Sequence, residues 1–519
     1  MSLWYTFTMQ FVIDIGLILI YICAFLLICA WSWRFWMMYV NQKFLDKFNG
    51  DCILLEIKLP REIMKSPFAT EVAITSLLQS GGVANWYGKT FDGNLPAFSS
   101  LEIASIEGVI HFYVRIHKKF RALVEANFYA QYPGIEIVEA DDYTKKIRYH
   151  HLSKDVSTWS AYYKLGKKWK PTNPKTGKEY SKSGEKEPKD DKDKYEMPSD
   201  FSMIKTYVDF GLDKDPKEEF KIDPITPLLE FMGSIKKGEH FWYQILIQDE
   251  SVYDGRRMSK FYVNEQTHEH VSLSEMAKDR KTQIRTSHFI KPGDQVIGDY
   301  GEVRQKTVGK DADGNEIKKD ILYEFKEIKP VSRKEMDIPF EEKEELEAIN
   351  KKISKPLALV VLRLVYVTKR ENFDGKQIQN ILSFPKIFKG SNFLSPNVSD
   401  PYDFAWERMG GKRVDWRSEE IFDEYVEREG FFPHVGERKE LDKIEDKLFY
   451  HYPTKARKVF RMIFEAVFHP FDHPHPEQVS IMNIEEIATL WHLPGQVAMT
   501  PTIPRIDSVK GSAPANLPI

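Results

Sequence analysis

Between Ile15 and Trp33 the chain runs IGLILIYICAFLLICAWSW, nineteen residues without a charge. A helix rises about 1.5 Å per residue and a bilayer core is about 30 Å thick, so roughly twenty apolar residues suffice to cross it. In water such a helix would be apolar on every side, whereas in lipid it satisfies its own backbone hydrogen bonds. The expectation is a single transmembrane helix over about residues 11–36 within an N-terminal segment 1–50, with Ile15, Leu19, Phe25, Leu26, Trp31, Trp33 and Arg34 as its anchoring residues.

The flanks fit that reading. Trp4, Tyr5, Phe7 and Phe11 precede the run and Trp31, Trp33, Phe35 and Trp36 close it, the placement aromatic rings take at the two headgroup zones. Residues 1–14 carry no Lys or Arg, while Arg34, Lys43 and Lys47 follow the run. The expected topology is N-terminus outside and bulk cytoplasmic, at the inner membrane. A cleaved signal would need a basic start and a small-residue cleavage site, and neither is present. Cys23 and Cys29 lie in the run and Cys52 just after it, which gives no disulfide framework and agrees with a reducing compartment.

Beyond residue 50 the composition turns ordinary. With 29% charged residues and a net charge of −3, no global field draws the chain to nucleic acid, so any such contact must be local. Over 51–163 the order reads strand (CILLEIKLP), helix (68–79), strand (SLEIAS), strand (VIHFYVRI), helix (118–132), strand (IEIVEA). That is the order of a split βαβ, ferredoxin-like sandwich. A second half, 201–415, reads strand (TYVDFGL, 206–212), helix (225–235), strand (241–248), strand (357–368), helix (375–384). The fold class expected is therefore α+β, an N-terminal transmembrane helix followed by two ferredoxin-like halves.

Two insertions interrupt the scheme: a Lys-rich loop over 164–200, too polar to bury surface, and a small β-rich insertion over about 251–334. The helix expected at 340–353 has acids first and lysines last, matching its dipole. A helical C-terminal part, 416–495, includes expected helices at 418–429 and 454–468. It closes with Asn483-Ile-Glu-Glu486, a capping box opening IEEIATLW, before a Pro-spaced tail, 496–519.

Searches for chemistry yield little. Gly82 to Thr90 has five residues between its glycines, where a phosphate loop needs four, and a helix precedes it. His469, His473 and His475 are the metal candidates, yet no further spaced ligand pair completes a set of four. Asp311 to Glu316 lacks the spacing of a calcium loop and reads as a hairpin turn. No nucleophile elbow appears, so no catalytic residue and no cofactor is expected. Lys164, Lys167, Lys168, Trp169, Lys170, Lys175 and Lys178 form a basic run with an interleaved aromatic, able to meet lipid headgroups or nucleic acid phosphates.

Three stretches carry a resemblance: SLEIASIEGVIHFYVRIHKKFRALVEANFYAQYPGIEIVEADDY (100–143), DPITPLLEFMGSIKKGEHFWYQILIQ (223–248), and IEEIATLWHLPG with the later PANLP (484–518). Together they resemble the membrane-anchored, non-ATPase N-terminal region of type IV secretion and conjugation-type proteins of candidate-phylum bacteria, a domain of unknown function. In longer proteins of that kind a hexameric ATPase follows the PANLP-like segment, and here the sequence stops there. The resemblance implies a non-enzymatic scaffold or docking subunit whose partners are membrane lipid and a separate secretion-type ATPase or other apparatus subunits. Leu490, Trp491, Leu493 and Pro494 are the expected docking residues. Nucleic-acid delivery through the Lys-rich loop, an enzyme built on the His-rich C-terminal region, and a homo-oligomer remain open at this point.

Overall fold

The protein was analysed as a computed structural model that describes residues 2–60, 65–78, 97–150, 155–166, 202–213, 223–249, 262–263, 270–271, 303–310, 316–322, 340–373, 375–398, 412–431, 479–495 and 503–506, with a few isolated positions besides. Helix α1 (Ser2–Gly50) extends past the apolar run at both ends. One stretch of it, Asp14–Gly50, is long and apolar enough to cross a membrane.

Strand β1 (Cys52–Pro60), helix α2 (Pro67–Thr75), strands β2 (Ser99–Ile106) and β3 (Val109–His117), helix α3 (Arg121–Gln131) and strand β4 (Glu136–Ala140) follow. Next come β5 (Val156–Leu165), α4 (Thr226–Ser234), β6 (Glu239–Asp249) and two short strands, β7 (Tyr262–Val263) and β8 (His270–Val271), which pair with each other. A hairpin of β9 (Val303–Lys310) and β10 (Glu316–Leu322) precedes α5 (Phe340–Ile353), β11 (Leu357–Lys369), α6 (Gly375–Ser383), β12 (Leu394–Val398) and α7 (Lys412–Glu427). Strand β13 (Ser480–Asn483), helix α8 (Ile484–Leu490) and strand β14 (Arg505–Ile506) close the order.

Ten strands form one sheet in the order β12-β5-β11-β6-β2-β3-β1-β14, with β13 also on β11 and β4 also on β1. All its pairings are antiparallel except β1 with β14. The first four strands stand in the order β4-β1-β3-β2 and the set β5, β6, β11, β12 in the order β12-β5-β11-β6. Both sets thus run fourth, first, third, second. They meet edge to edge where β2 pairs with β6, Glu102 opposite Gln244.

Alternation fixes the two faces. Ile53, Leu55, Ile57 and Leu59 of β1 point to one face with Phe241, Tyr243, Ile245 and Ile247 of β6, beneath α2, α3, α4, α6 and α8. Leu54, Ala104, Tyr113, Trp242, Val365 and Val367 point to the other, beneath Phe422 and Tyr425 of α7. With helices on both sides, β11 is buried along all but its last residue, hence its near-continuous apolar run. The β2–β3 turn holds Glu107 at φ 55° and Gly108 at φ 89°, both positive, as a two-residue hairpin requires.

Several expectations need correction. Residues 206–212 do not form a strand: Thr206 donates its N–H and hydroxyl to Asp209 Oδ2 (2.8 and 3.2 Å), and Gly211 at φ 71° completes a compact turn. The first strand of the second set is instead β5 and its last is β12. The C-terminal helices are not a separate part, because α7 covers one sheet face and α8 sits in the core of the other. Residues 274–350 form a second compact unit of their own, holding the β9–β10 hairpin and a small contact of Ile338 with Leu346. Of the expected 454–468 helix only isolated positions lie among the described residues.

Candidate functional site

Where the two strand sets meet, one transverse row of the sheet is polar on the α7 face. In-register partners give Tyr162 (β5), Arg363 (β11), Gln244 (β6), Glu102 (β2), Tyr113 (β3) and Glu56 (β1). A buried polar group needs a partner, and from Tyr162 to Glu102 this row supplies one at each step, Arg363 Nη1 donating to Tyr162 OH at 3.3 Å. Arg363 Nε donates to Gln244 Oε1 (2.6 Å), and Gln244 Nε2 donates to Glu102 Oε1 (2.9 Å). Arg363 also donates to the Glu429 carbonyl (2.7 Å), and its guanidinium lies 5.7 Å from the Tyr425 ring.

Glu102 is the hub. Its carboxylate accepts from Ser100 Oγ (2.6 Å), Tyr143 OH (2.8 Å) and Arg428 Nε (2.9 Å). Arg428 stands just past the end of α7 at φ 55°, the left-handed conformation that ends helices, and there its side chain turns down onto the sheet. Its other nitrogens reach Asp142 at 2.8 and 3.1 Å. Burial pushes the Glu102 carboxyl up, but the Arg428 guanidinium outweighs it and holds the group below the ordinary carboxylate range. Asp142 is lowered by the same balance of burial against Arg428. Tyr143 OH lies 2.6 Å from Tyr425 OH, and Tyr162 donates to Glu424, so the last turn of α7 is held by side chains.

The row reaches α1. Asn49, in the last turn of that helix, donates Nδ2 to the Glu427 carbonyl (3.3 Å) and accepts at Oδ1 from Arg115 Nη2 (2.9 Å). Phe48 packs on Phe98 at 4.9 Å, and Phe98 on Phe431 at 5.7 Å. A short path therefore runs from the base of α1 through the end of α7 to the sheet's central seam. As chemistry, this arrangement is a clamp, with cations and carboxylates neutralised against each other.

A second buried set ties down α8. Asn483 and Glu486 form a reciprocal capping box, and Lys352 Nζ lies 2.5 Å from Glu486, both wholly buried. Burial raises the Glu486 carboxyl despite that lysine. Lys355 bridges Glu71 (2.7 Å) on α2 and Glu485 (2.9 Å) on α8. His492 Nε2 lies 3.0 Å from Asp223, and although burial lowers the imidazole, Asp223 raises it overall.

The expected docking residues belong to this core. Leu490, Trp491 and Leu493 are at most 1% exposed, and Pro494 is buried with them. The Trp491 ring meets Phe112 and Phe128 edge-on, and its Nε1 donates to the Glu102 carbonyl (3.4 Å). They present no side-chain surface to a partner. Of the basic run, Lys164 lies on β5 opposite Ser395 of β12, while Lys167, Lys168, Trp169, Lys170, Lys175 and Lys178 lie outside the described residues, as do His469, His473 and His475. Among the described residues no group of three metal-ligating side chains comes together.

On α1, Ile15, Leu19, Phe25, Leu26 and Trp33 are all exposed, Arg34 is half-buried, and Trp31 donates Nε1 to the Val467 carbonyl (3.0 Å). The seam residues Glu102, Arg363 and Arg428 were not anticipated. Their signal was a lone charge inside an apolar strand, Glu102 in SLEIAS and Arg363 in LALVVLRLVYVT, which in a two-face-covered strand must be paired. Compared with known protein families, curated proteins and solved structures, the chain has no significant match.

Proposed function

We propose that this protein is a single-pass, membrane-anchored scaffold of a type IV secretion or conjugation-like apparatus, with its N-terminus outside the inner membrane and its α+β body in the cytoplasm. The observation that carries the anchoring part is the two-zone character of α1. From Ile15 to Ile28, and again at Trp33, Phe35 and Trp36, its large apolar side chains stand exposed, whereas Met38, Val40, Leu45 and Phe48 are buried against the body. One continuous helix therefore offers an apolar surface of bilayer length and then a mount. Lys43 and Lys47 on the mounted part support the cytoplasmic side.

The body is read as two split βαβ, ferredoxin-like halves joined through β2 and β6. The repeated fourth-first-third-second strand order supports this reading. The clamp at the seam then has a mechanical role, fixing both halves and α7 to the base of the anchor. The secretion assignment rests on the resemblance of residues 100–143, 223–248 and 484–518. Purification of the intact protein from membranes in mild detergent tests it: a Walker-type ATPase or another apparatus subunit at fixed stoichiometry is expected, and its absence across repeated preparations would contradict the assignment.

A further inference from the structure

Two stretches of the body touch α1 near the end of its exposed apolar run. Phe91 lies 6.1 Å from Trp36 by ring centroids and stacks on Tyr87 at 4.9 Å, and Trp36 is 6.1 Å from Tyr39. On a second side, Val467 accepts the Trp31 indole N–H at 3.0 Å. Val459 and Ile463 precede Val467 at intervals of four, and all three positions are helical. Trp31 and Trp36 are about 140° apart around the helix, so the two stretches approach α1 from different directions.

Several described apolar or aromatic side chains here are exposed: Trp36, Tyr39, Tyr87, Phe91, Val459 and Ile463 are each between 41% and 59% exposed. Counting about twenty residues from Asp14 places the end of the hydrocarbon span near Trp33, one turn from Trp36. These rings thus fall at the depth of the headgroups and glycerol backbone, where amphipathic aromatics are favoured. The ring chain Tyr39–Trp36–Phe91–Tyr87 begins one turn past Trp33, at the end of the proposed span, which identifies its occupant as the same bilayer.

We propose that Tyr87, Phe91, Val459 and Ile463 form, with Trp33, Trp36 and Tyr39, a lipid-binding collar that seats the body on the membrane surface. This rests on the membrane-crossing reading of α1. The collar holds the body at several points, so it cannot swing freely about a single tether. Each of its aliphatic and aromatic tips enters the headgroup layer of phospholipid without crossing it.

Depth-dependent quenching tests the proposal. In full-length protein with Cys23, Cys29 and Cys52 changed to Ser, single cysteines replace Phe91, Ile463, Phe25 or Glu136 and carry an NBD dye. The protein is reconstituted into phosphatidylcholine–phosphatidylglycerol vesicles containing lipid doxyl-labelled at carbon 5 or carbon 12. The expected result is at least twofold stronger quenching at Phe91→Cys and Ile463→Cys by the shallow label than by the deep one. Phe25→Cys should be quenched best by the deep label, and Glu136→Cys, on β4 opposite the far end of β1, by neither. If the Phe91 and Ile463 sites behave like Glu136 while Phe25 is quenched, the collar is wrong and the span stands. Quenching at the collar without quenching at Phe25 would overturn the span, and with it the collar as a mount beside a crossing helix, leaving a surface contact only. No quenching at any of the three overturns both.

Discussion

At the scale of single residues, the account turns on Glu102 and Arg428. Removing one member of a buried ion pair strands the other, which costs about 3–5 kcal/mol, far more than an exposed pair would. Arg428→Ala is therefore expected to lower unfolding free energy by about that amount in a detergent-solubilised denaturant titration. The Glu102→Ala/Arg428→Ala double variant should lose less than the sum of its singles, because removing Glu102 as well spares one of the two carboxylates that Arg428→Ala strands, Asp142 being the other.

Acid adds a second check. Glu102 and Asp142 have carboxyls held below the ordinary range, so their contribution is complete above that range and is lost as pH falls through the depressed values. The Arg428→Ala protein should show a shallower loss of stability on acidification than the parent. His492 has the opposite sign: Asp223 raises its imidazole, so its contribution is complete below the ordinary imidazole value and is lost as pH rises through the raised one. The test is a stability profile taken upward from the ordinary imidazole value, where His492→Gln should flatten the decline.

At the scale of elements, α8 was the most legible. Its seven residues are held by a capping box readable as Asn483-Ile-Glu-Glu486, and Asn483→Ala should cost about 1–2 kcal/mol by the same denaturant measurement. Strand β5 was not legible, because VSTWSAYYKL reads as polar. The structure resolves that polarity: Thr158 donates to the Tyr366 carbonyl (3.0 Å) and Ser160 to the Ser418 carbonyl (3.3 Å), so its hydroxyls are satisfied within the packed layers. Strand β12 (LSPNV) contains a proline, tolerated because it is the edge of the sheet. Residues 206–212 failed the other way, with β-forming side chains overruled by a local Asp209 turn. In each case the deciding partner is a backbone group distant in sequence or a local hydrogen bond, neither of which a hydrophobic pattern records.

At the scale of the whole molecule, the apolar span and the first four strands were visible in the chain because periodicity reports burial directly. The joining of the two sets through β2 and β6, and the row of charges that locks it, was not, since register between strands 140 residues apart has no local signature. Only the lone charges Glu102 and Arg363 hinted at it. A consequence at this scale is that α1 should behave as a membrane helix with a body rigidly attached. Phe25→Arg, near the middle of the span, should disfavour insertion by about 3 kcal/mol and shift protein from the membrane to the soluble or aggregated fraction.

The most direct measurement is alkaline carbonate extraction of isolated membranes, which strips proteins held only at the surface. The account predicts that the intact chain stays with the lipid pellet while a Phe25→Arg variant is depleted from it. Complete release of the intact chain into the supernatant would contradict the claim that α1 spans the bilayer.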